Sequence, residues 1–498
     1  MEHVESHNLT KENTMDHMER NNLNNLDVGL KRTELTRWNN WSVELVLFLY
    51  FLAYMMTSVI EESLFIDKAC RINLNISANI CDHISLKENE SYKKKVQLVV
   101  SNFRQYESVA MHAVPTVLGV FVGAWSDRHG RKLPMLMGLS GAVLYAAMLI
   151  VNIVNDWPLE SILYTATFPA GMTGSGLAIF LAAFTYISDI TTPDSRTHRI
   201  SLLEVAYLIP MPTGVALGSY IFTNVVNRSY LAMFSIQLAL QVVAFLYACL
   251  TMKCKTNHST VAEHSGDSHC FWGVCNWNIV VETWRTLTRK HPNNRRILLI
   301  AIICAMGLYT FQRDEKHIFF LYTQLKFHWS VSEFSKFRTF HSSMIVVCLL
   351  AATPLFTKVF GMRDTIVASI GCLAHASGRV IFSLAQQRST LYCGAAVASL
   401  GTIVAPVLRS ITSKLIPPSE RGKAFSLLTV ADQSVPIISG ALFSQIYNAT
   451  IDSNPAAFFS ITIISQLGVL FFVMIIHCRL GGRNINQAED SRLETNSD

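Results

Sequence analysis

Twelve continuous apolar runs, each near the length that crosses a bilayer, constrain this chain more than any other feature. They lie at roughly 43–60, 106–125, 133–154, 161–188, 200–222, 229–251, 296–324, 337–357, 365–385, 389–412, 423–446 and 457–479. A helix rises 1.5 Å per residue and a bilayer core is ~30 Å thick, so ~20 apolar residues make one crossing. A membrane β-barrel would instead alternate apolar and polar residues in ~10-residue strands. These runs are unbroken, so helices are expected. Half of the residues are apolar and 15% are charged, against ~25% charged in soluble domains. That balance excludes a soluble enzyme and a disordered scaffold. The net charge of +6 is scattered along the chain and gives nucleic acid no patch to bind.

The expected fold class is therefore an all-α membrane protein with twelve transmembrane helices. An even number puts both termini on one side. The short loops after helices 2, 4, 8 and 10 carry ten Lys and Arg residues, including Arg128, Arg196 and Lys414. Those after helices 3, 5, 9 and 11 carry only Arg228 and Arg388. Basic loops stay cytoplasmic, so both termini are expected there. The domain reading is a cytoplasmic tail 1–40, a six-helix bundle 41–251 with an outer loop 61–105, a cytoplasmic linker 252–295, a second bundle 296–479 and a tail 480–498. A six-plus-six division is typical of transporters built from repeats. The echo of Pro193-Asp194-Ser195-Arg196 in Pro418-Ser419-Glu420-Arg421 lies at equivalent places in the two halves.

Ionisable residues inside apolar spans are costly unless paired or wet, and so mark functional candidates. Glu204 lies about one turn inside helix 5 and is read either as a proton carrier or as a helix-end acid paired with Arg199 or Arg196. Arg409, near the inner end of helix 10, either grips a carboxylate or phosphate with two bonds or snorkels to the inner face. Arg379 in helix 9 and Asp432 in helix 11 are weaker candidates, as are the titratable His112 and His375. Arg313-Asp314-Glu315-Lys316-His317 interrupts helix 7. Its readings are a wet cavity wall, an internal salt-bridge set, or a helix that ends early. Gly171-Met172-Thr173-Gly174-Ser175-Gly176 lacks the Lys-Ser/Thr of a phosphate loop and is read as a place of close backbone contact. No nucleophile–base or metal constellation appears, so an enzyme is not expected. Cys254, Cys270 and Cys275 with their neighbouring histidines fit no zinc spacing.

The segment Gly123-Ala124-Trp125-Ser126-Asp127-Arg128-His129-Gly130-Arg131-Lys132 joins helices 2 and 3. It resembles the G-x-x-x-D-x-x-G-R-[RK] signature of the major facilitator superfamily. Gly123 lets backbones approach, Gly130 permits a tight turn, and Asp127 can pair with Arg131. Such a cluster can hold one conformer of two rocking bundles. Four further stretches narrow the resemblance: Asp67–Asn75, Ile80-Cys81-Asp82, Asp189 to Glu204, and Pro406-Val407-Leu408-Arg409-Ser410. Together these are similar to solute carrier family 46, the proton-coupled folate transporter family. The resemblance implies the major facilitator fold in two six-helix bundles and transport of an organic anion, folate-like or other. It implies proton coupling at Glu204 and Asp189, and substrate handling by Arg409; Arg379 and His317 are added as substrate-binding candidates from their charge inside apolar spans. Gating is assigned to Gly123, Asp127, Gly130 and Arg131. That family's folate transporter carries a helix 7 histidine with which His317 does not align securely. Helix 5 lacks the G-x-x-x-G-P-x-x-G-G run of drug/proton antiporters, which favours symport or facilitated diffusion.

The expected function is a secondary active transporter, with the proton as coupling ion and no cofactor. Its rivals are a proton-independent facilitator of nucleotide-like or conjugated anions and a transporter-like receptor without net flux. The partners are a small organic anion and the lipid bilayer, in the plasma membrane rather than the endolysosome. Cys70 and Cys81 share the outer loop, an oxidising setting, and are expected to pair. Asn75-Ile76-Ser77 and Asn89-Glu90-Ser91 are sequons in that loop. Asn227 and Asn448 head others very near the bilayer, and Asn257 heads one on the cytoplasmic side.

Overall fold

The computed structural model describes residues 42–191, 193–252, 295–415 and 421–479. Among them every regular element is helical. Ten segments are long and apolar enough to cross a membrane: α1 (Val43–Asn73), α3 (Lys132–Val154), α4 (Leu159–Ile190), α5 (Arg199–Val225), α6 (Tyr230–Thr251), α7 (Ile297–Phe327), α8 (Val331–Thr357), α9 (Asp364–Leu384), α10 (Arg388–Leu415) and α12 (Phe459–Arg479). Two more long helices, α2 (Glu90–His129) and α11 (Arg421–Thr450), carry more polar residues. They pack on each other along much of their length, and α5 packs on α8. These two contacts join the first half of the chain to the second.

The outer loop is shorter than the expected 61–105. α1 continues to Lys68 and closes with a wide turn over Ala69–Asn73, and α2 already begins at Glu90. The apolar run ended at Glu61-Glu62 because charge was read as water. Both acids are instead turned inward and paired. Cys70 and Cys81 are joined in the remaining loop, their Cα atoms 5.9 Å apart. Lys68 caps the facing end of α3 by donating to the carbonyls of Asn152 and Trp157, both at 2.9 Å. A cation there suits the negative end of a helix.

Packing is tightest where side chains are smallest. A methyl group on Gly218 of α5 would lie 1.9 Å from the Met56 carbonyl oxygen of α1. Gly171 brings α4 equally close to α2, where the same methyl would sit 2.8 Å from the Ala110 oxygen. At one end of the second half, Phe319, Tyr322, Phe334, Phe337, Phe382 and Phe459 form a largely edge-to-face cluster linking α7, α8, α9 and α12. Such pairs add ~0.5–1.5 kcal/mol each beyond their buried area. The turn into α8 is fixed by a capping box: Ser330 Oγ accepts from Glu333 N at 3.3 Å, and Ser330 N donates to the Glu333 carboxylate at 2.9 Å.

Candidate functional site

The charge cluster of α7 marks a break in that helix. The α-helix runs from Arg295 to Thr310, tightens into a 3₁₀ turn over Phe311–Arg313, and resumes at Glu315. The break fans the charges in different directions. Arg313 meets Asp432 of α11 at 2.9 Å, and Asp432 also accepts from Thr310. Asp314 accepts from Ser439 of α11. Glu315 pairs with Arg379 of α9 at 3.2 Å and accepts from Thr462 of α12. His317 reaches Glu62 of α1. The salt-bridge reading and the cavity-wall reading are thus both present, because Arg313, Asp314, Lys316 and His317 also line a central cavity of about 300 Å³.

On the opposite wall, α1, α2 and α3 bring together Glu61, Glu62, Arg104, Glu107 and Tyr145. Arg104 Nη2 lies 2.6 Å from Glu62 Oε1, and its Nη1 donates to Glu107 and lies 3.6 Å from Glu61. The guanidinium stacks over Phe65, 4.4 Å from the ring centre. Glu62, Arg104 and Glu107 are each under 10% exposed. Burying such charges is tolerable only with dense pairing, and the network supplies it.

The end of the cavity nearer the disulfide is sealed by bonds between the two halves. Gln97 donates to Leu321 O at 2.9 Å and accepts from Tyr447 at 3.0 Å. Asn448 donates to Asn102 at 2.8 Å, and Lys94 pairs with Asp452 at 3.0 Å. Lys93, fully buried, donates to Ser85 O, Gln324 O and His328 Nδ1 at 3.0, 3.4 and 3.1 Å. Towards the other end, Glu204 of α5 and Arg409 of α10 are exposed and within electrostatic reach of each other.

The expected site residues are therefore distributed over three places. Glu204 and Arg409 come together. His317 lies at the cavity, tied to Glu62. Arg379 is 5% exposed and held by Glu315, so its guanidinium is an internal strut and not a cavity-facing grip. Asp189 does not stand free as a proton site: it pairs with Arg131 at 2.9 Å, while Arg131 also donates to Ser126. Gly130 adopts φ 95°, which suits glycine, and ends α2. The side chains of residues 120–125 and 127–129, Asp127 among them, lie outside the described residues, as do position 123's surroundings, the linker 253–294 and both tails. Of the weaker candidates, His112 lines the cavity, whereas His375 is buried against Gly401. Asn75 is exposed, whereas the Asn89 amide donates to His83 O.

Glu61, Glu62, Arg104, Glu107 and Tyr145 were not legible as site residues. The available signal was a spacing within α2: Arg104 and Glu107 are three residues apart, on one helical face, at the start of an apolar run. Lys316 acquires meaning only in the structure, where it joins Arg409, already a candidate from the sequence. Both are cations that form no ion pair among the described residues, and so does Arg338 of α8.

The sequence pattern of the Major Facilitator Superfamily matches residues 108–440. A "Probable peptidoglycan muropeptide transporter SLC46" of Drosophila melanogaster is 24% identical over 435 residues, which span 83% of this chain and 80% of the relative. A "Lysosomal proton-coupled steroid conjugate and bile acid symporter SLC46A3" of Gallus gallus is 24% identical over 433 residues, 82% of this chain and 88% of the relative. Among solved structures, the human organic anion transporter MFSD10 (TETRAN) superposes with a TM-score of 0.59 at 13% identity, over 88% of this chain and 99% of its own. That likeness concerns the fold. With two halves around a charged cavity and this extent of match, the chain belongs to the Major Facilitator Superfamily, is a transporter and not an enzyme, and has relatives in solute carrier family 46.

Proposed function

We propose that this transporter carries an organic anion by alternating access through twelve membrane helices, driven by an inward proton gradient. The observation that carries the reading is the charge on and near the cavity. Glu61 and Glu107 of the first half and Lys316 of the second line it, and Glu204 and Arg409 lie within electrostatic reach of each other. Lys316, Arg338 and Arg409 have no carboxylate within salt-bridge distance among the described residues. A substrate carboxylate or phosphate would complete those cations. A proton would relieve the acids, whose charged forms are costly in a membrane. Rocking of the halves would then expose the cavity to one side at a time, and Arg131–Asp189 would help to hold one facing.

The relatives' names supply the first substrates to try. Purified protein in vesicles should be tested for uptake of a labelled muropeptide, a steroid conjugate, a bile acid and folate, with the outside at pH 5.5 or 7.4 and the inside at 7.4. Acid-stimulated accumulation of one of them supports the reading. Equal uptake at both pH values would favour a proton-independent facilitator. Binding without flux would favour a receptor.

A further inference from the structure

Three carboxylates surround the single guanidinium of Arg104, and they do not share it equally. Glu62 takes two bonds, from Nη2 at 2.6 Å and from Nε at 3.2 Å. Glu107 Oε2 takes one from Nη1, and Glu61 Oε1 is left with a contact of 3.6 Å to that same nitrogen. On their other side, Glu61 Oε1 and Glu107 Oε1 both face the Tyr145 hydroxyl, at 3.2 and 3.4 Å. A phenol has one hydrogen to give. It can satisfy one of these oxygens, and the other then meets only lone pairs. Two carboxylates so placed resist ionising together. One proton removes the conflict: it lets either carboxyl donate to the hydroxyl oxygen while the hydroxyl donates to the other.

The surroundings do not supply that missing charge in another form. Glu62 on α1 and Arg104 on α2 are already mutually engaged. On α7, His317 is spent on Glu62, and Lys316 and Asp314 lie along the cavity wall. Arg338 of α8 acts on Glu62 and Glu315 and is not within ion-pair distance of Glu61 or Glu107. His112 of α2 bonds its own helix at Ser108 O, 2.9 Å away. α6 presents the neutral Gln237 and Gln241, and α4 presents Ser175 and Phe180. Glu61 and Glu107 both line the cavity, so water can reach them.

We propose that Glu61 and Glu107 form a carboxylate pair that binds one proton from the cavity, a second protonation site besides Glu204. The step makes one O–H bond on a carboxyl oxygen at the expense of a hydronium in the cavity, and release reverses it. Its role in transport rests on the symport reading; the binding itself does not. The pair is linked to the second half of the molecule, because Arg104 is shared with Glu62 and Glu62 holds His317 of α7. When the pair carries a proton, less of the Arg104 charge is drawn away from Glu62. The Glu62–His317 bond between the halves then changes with the proton.

The test uses the proton as the only ligand. The full chain in lipid vesicles is taken from pH 8 to pH 5 and followed by infrared difference spectroscopy. The expected result is a carbonyl-stretch band of a protonated carboxyl that shifts in heavy water. It should be lost in Glu61→Gln and in Glu107→Gln, each alone, and kept in Glu204→Gln. Tyr145→Phe, which removes one hydrogen bond from the doubly ionised pair and two from the protonated one, should move the band's titration to lower pH by ~0.5 unit or more. A band unchanged in both Gln variants overturns the pair. Should the Gln variants not fold, as judged by gel filtration, an unmoved titration in Tyr145→Phe overturns it instead. The two readings fail separately. Wild-type uptake without acid stimulation, with the band intact, overturns symport and keeps the site. Acid-stimulated uptake with the band intact in the Gln variants does the reverse.

Discussion

Glu204 and Arg409 come within electrostatic reach of each other from α5 and α10, and both are exposed. If Glu204 carries a coupled proton, Glu204→Gln holds the protonated state permanently. Net proton-driven uptake should fall at least about tenfold, because the carrier cannot reset, while exchange of substrate across the membrane persists. Measuring both modes in the same vesicles at matched protein level decides the point: a joint fall, with the pH optimum unmoved, means a packing or pairing role. Glycine positions give a different test. Gly218→Ala drives a methyl into the Met56 backbone carbonyl and should cost about 1–3 kcal/mol or more. Gly307→Ala, whose new methyl would meet Val435 at an ordinary 3.7 Å, should be nearly neutral. Thermal melts of the detergent-purified variants compare the two, and equal melting would refute the close contact. The sequence made Glu204 and Arg409 visible because each is a lone charge in an apolar run. It hid Glu61 and Arg104 because charge at the edge of a run looks like the edge of the membrane, and only the fold reveals that these charges neutralise one another inside.

Whole helices follow the same logic. Ten of the expected runs start and stop within a turn or two of a helix, because a continuous apolar stretch has few alternatives in lipid. The ends are harder to read: α1 and α2 extend past their apolar runs because buried ion pairs keep their polar turns attached to the protein. Where α2 and α7 meet near the disulfide, the Lys93–His328 contact makes an element-level prediction. Burial pushes the Lys93 ammonium down to about 8. Burial first, and the Lys93 charge second, hold the His328 imidazole below its ordinary value, which is ~6.5. The closed contact needs a neutral ring nitrogen as acceptor. The His328 contribution is therefore fully present above ~6.5 and is lost progressively as pH falls below that, since opening returns His328 to its ordinary affinity for a proton; the Lys93 ammonium has already exacted its own cost by pH 8 and does not change further in this range. Acid should loosen this seal. A cysteine placed at Gln97, behind it, should be labelled several-fold faster at pH 5.5 than at 7.5, normalised to a cysteine at exposed Glu88. His328→Ala should abolish the difference; a pH response that survives His328→Ala would place the sensor elsewhere.

Across the whole molecule, two packings of the halves must differ by little for rocking to occur. The Arg131–Asp189 pair links the Gly130 turn to the end of α4, within the first half, so it shapes a rigid unit that the second half rocks against. Arg131→Ala and Asp189→Asn should each slow maximal flux several-fold with surface expression largely intact, and normal flux in both would remove the gating role. Orientation belongs to this scale too, and it rests on the distribution of Lys and Arg among short loops. That argument reads only the sequence, because a helix bundle packs the same way whichever face meets the cytoplasm. A sugar supplies an independent readout, since Asn-x-Ser/Thr is glycosylated only on the luminal or outer side. With the disulfide loop outside, Asn75 is the favoured acceptor: it is exposed, whereas the amides of Asn89 and Asn448 are occupied by hydrogen bonds. A glycosidase-sensitive mobility shift should therefore be largely removed by Asn75→Gln, fully removed with Asn89→Gln added, and unaffected by Asn257→Gln. A shift that survives loss of both Asn75 and Asn89 but disappears with Asn257→Gln would turn the molecule over, and the charge asymmetry of the loops would then have to be explained without the membrane.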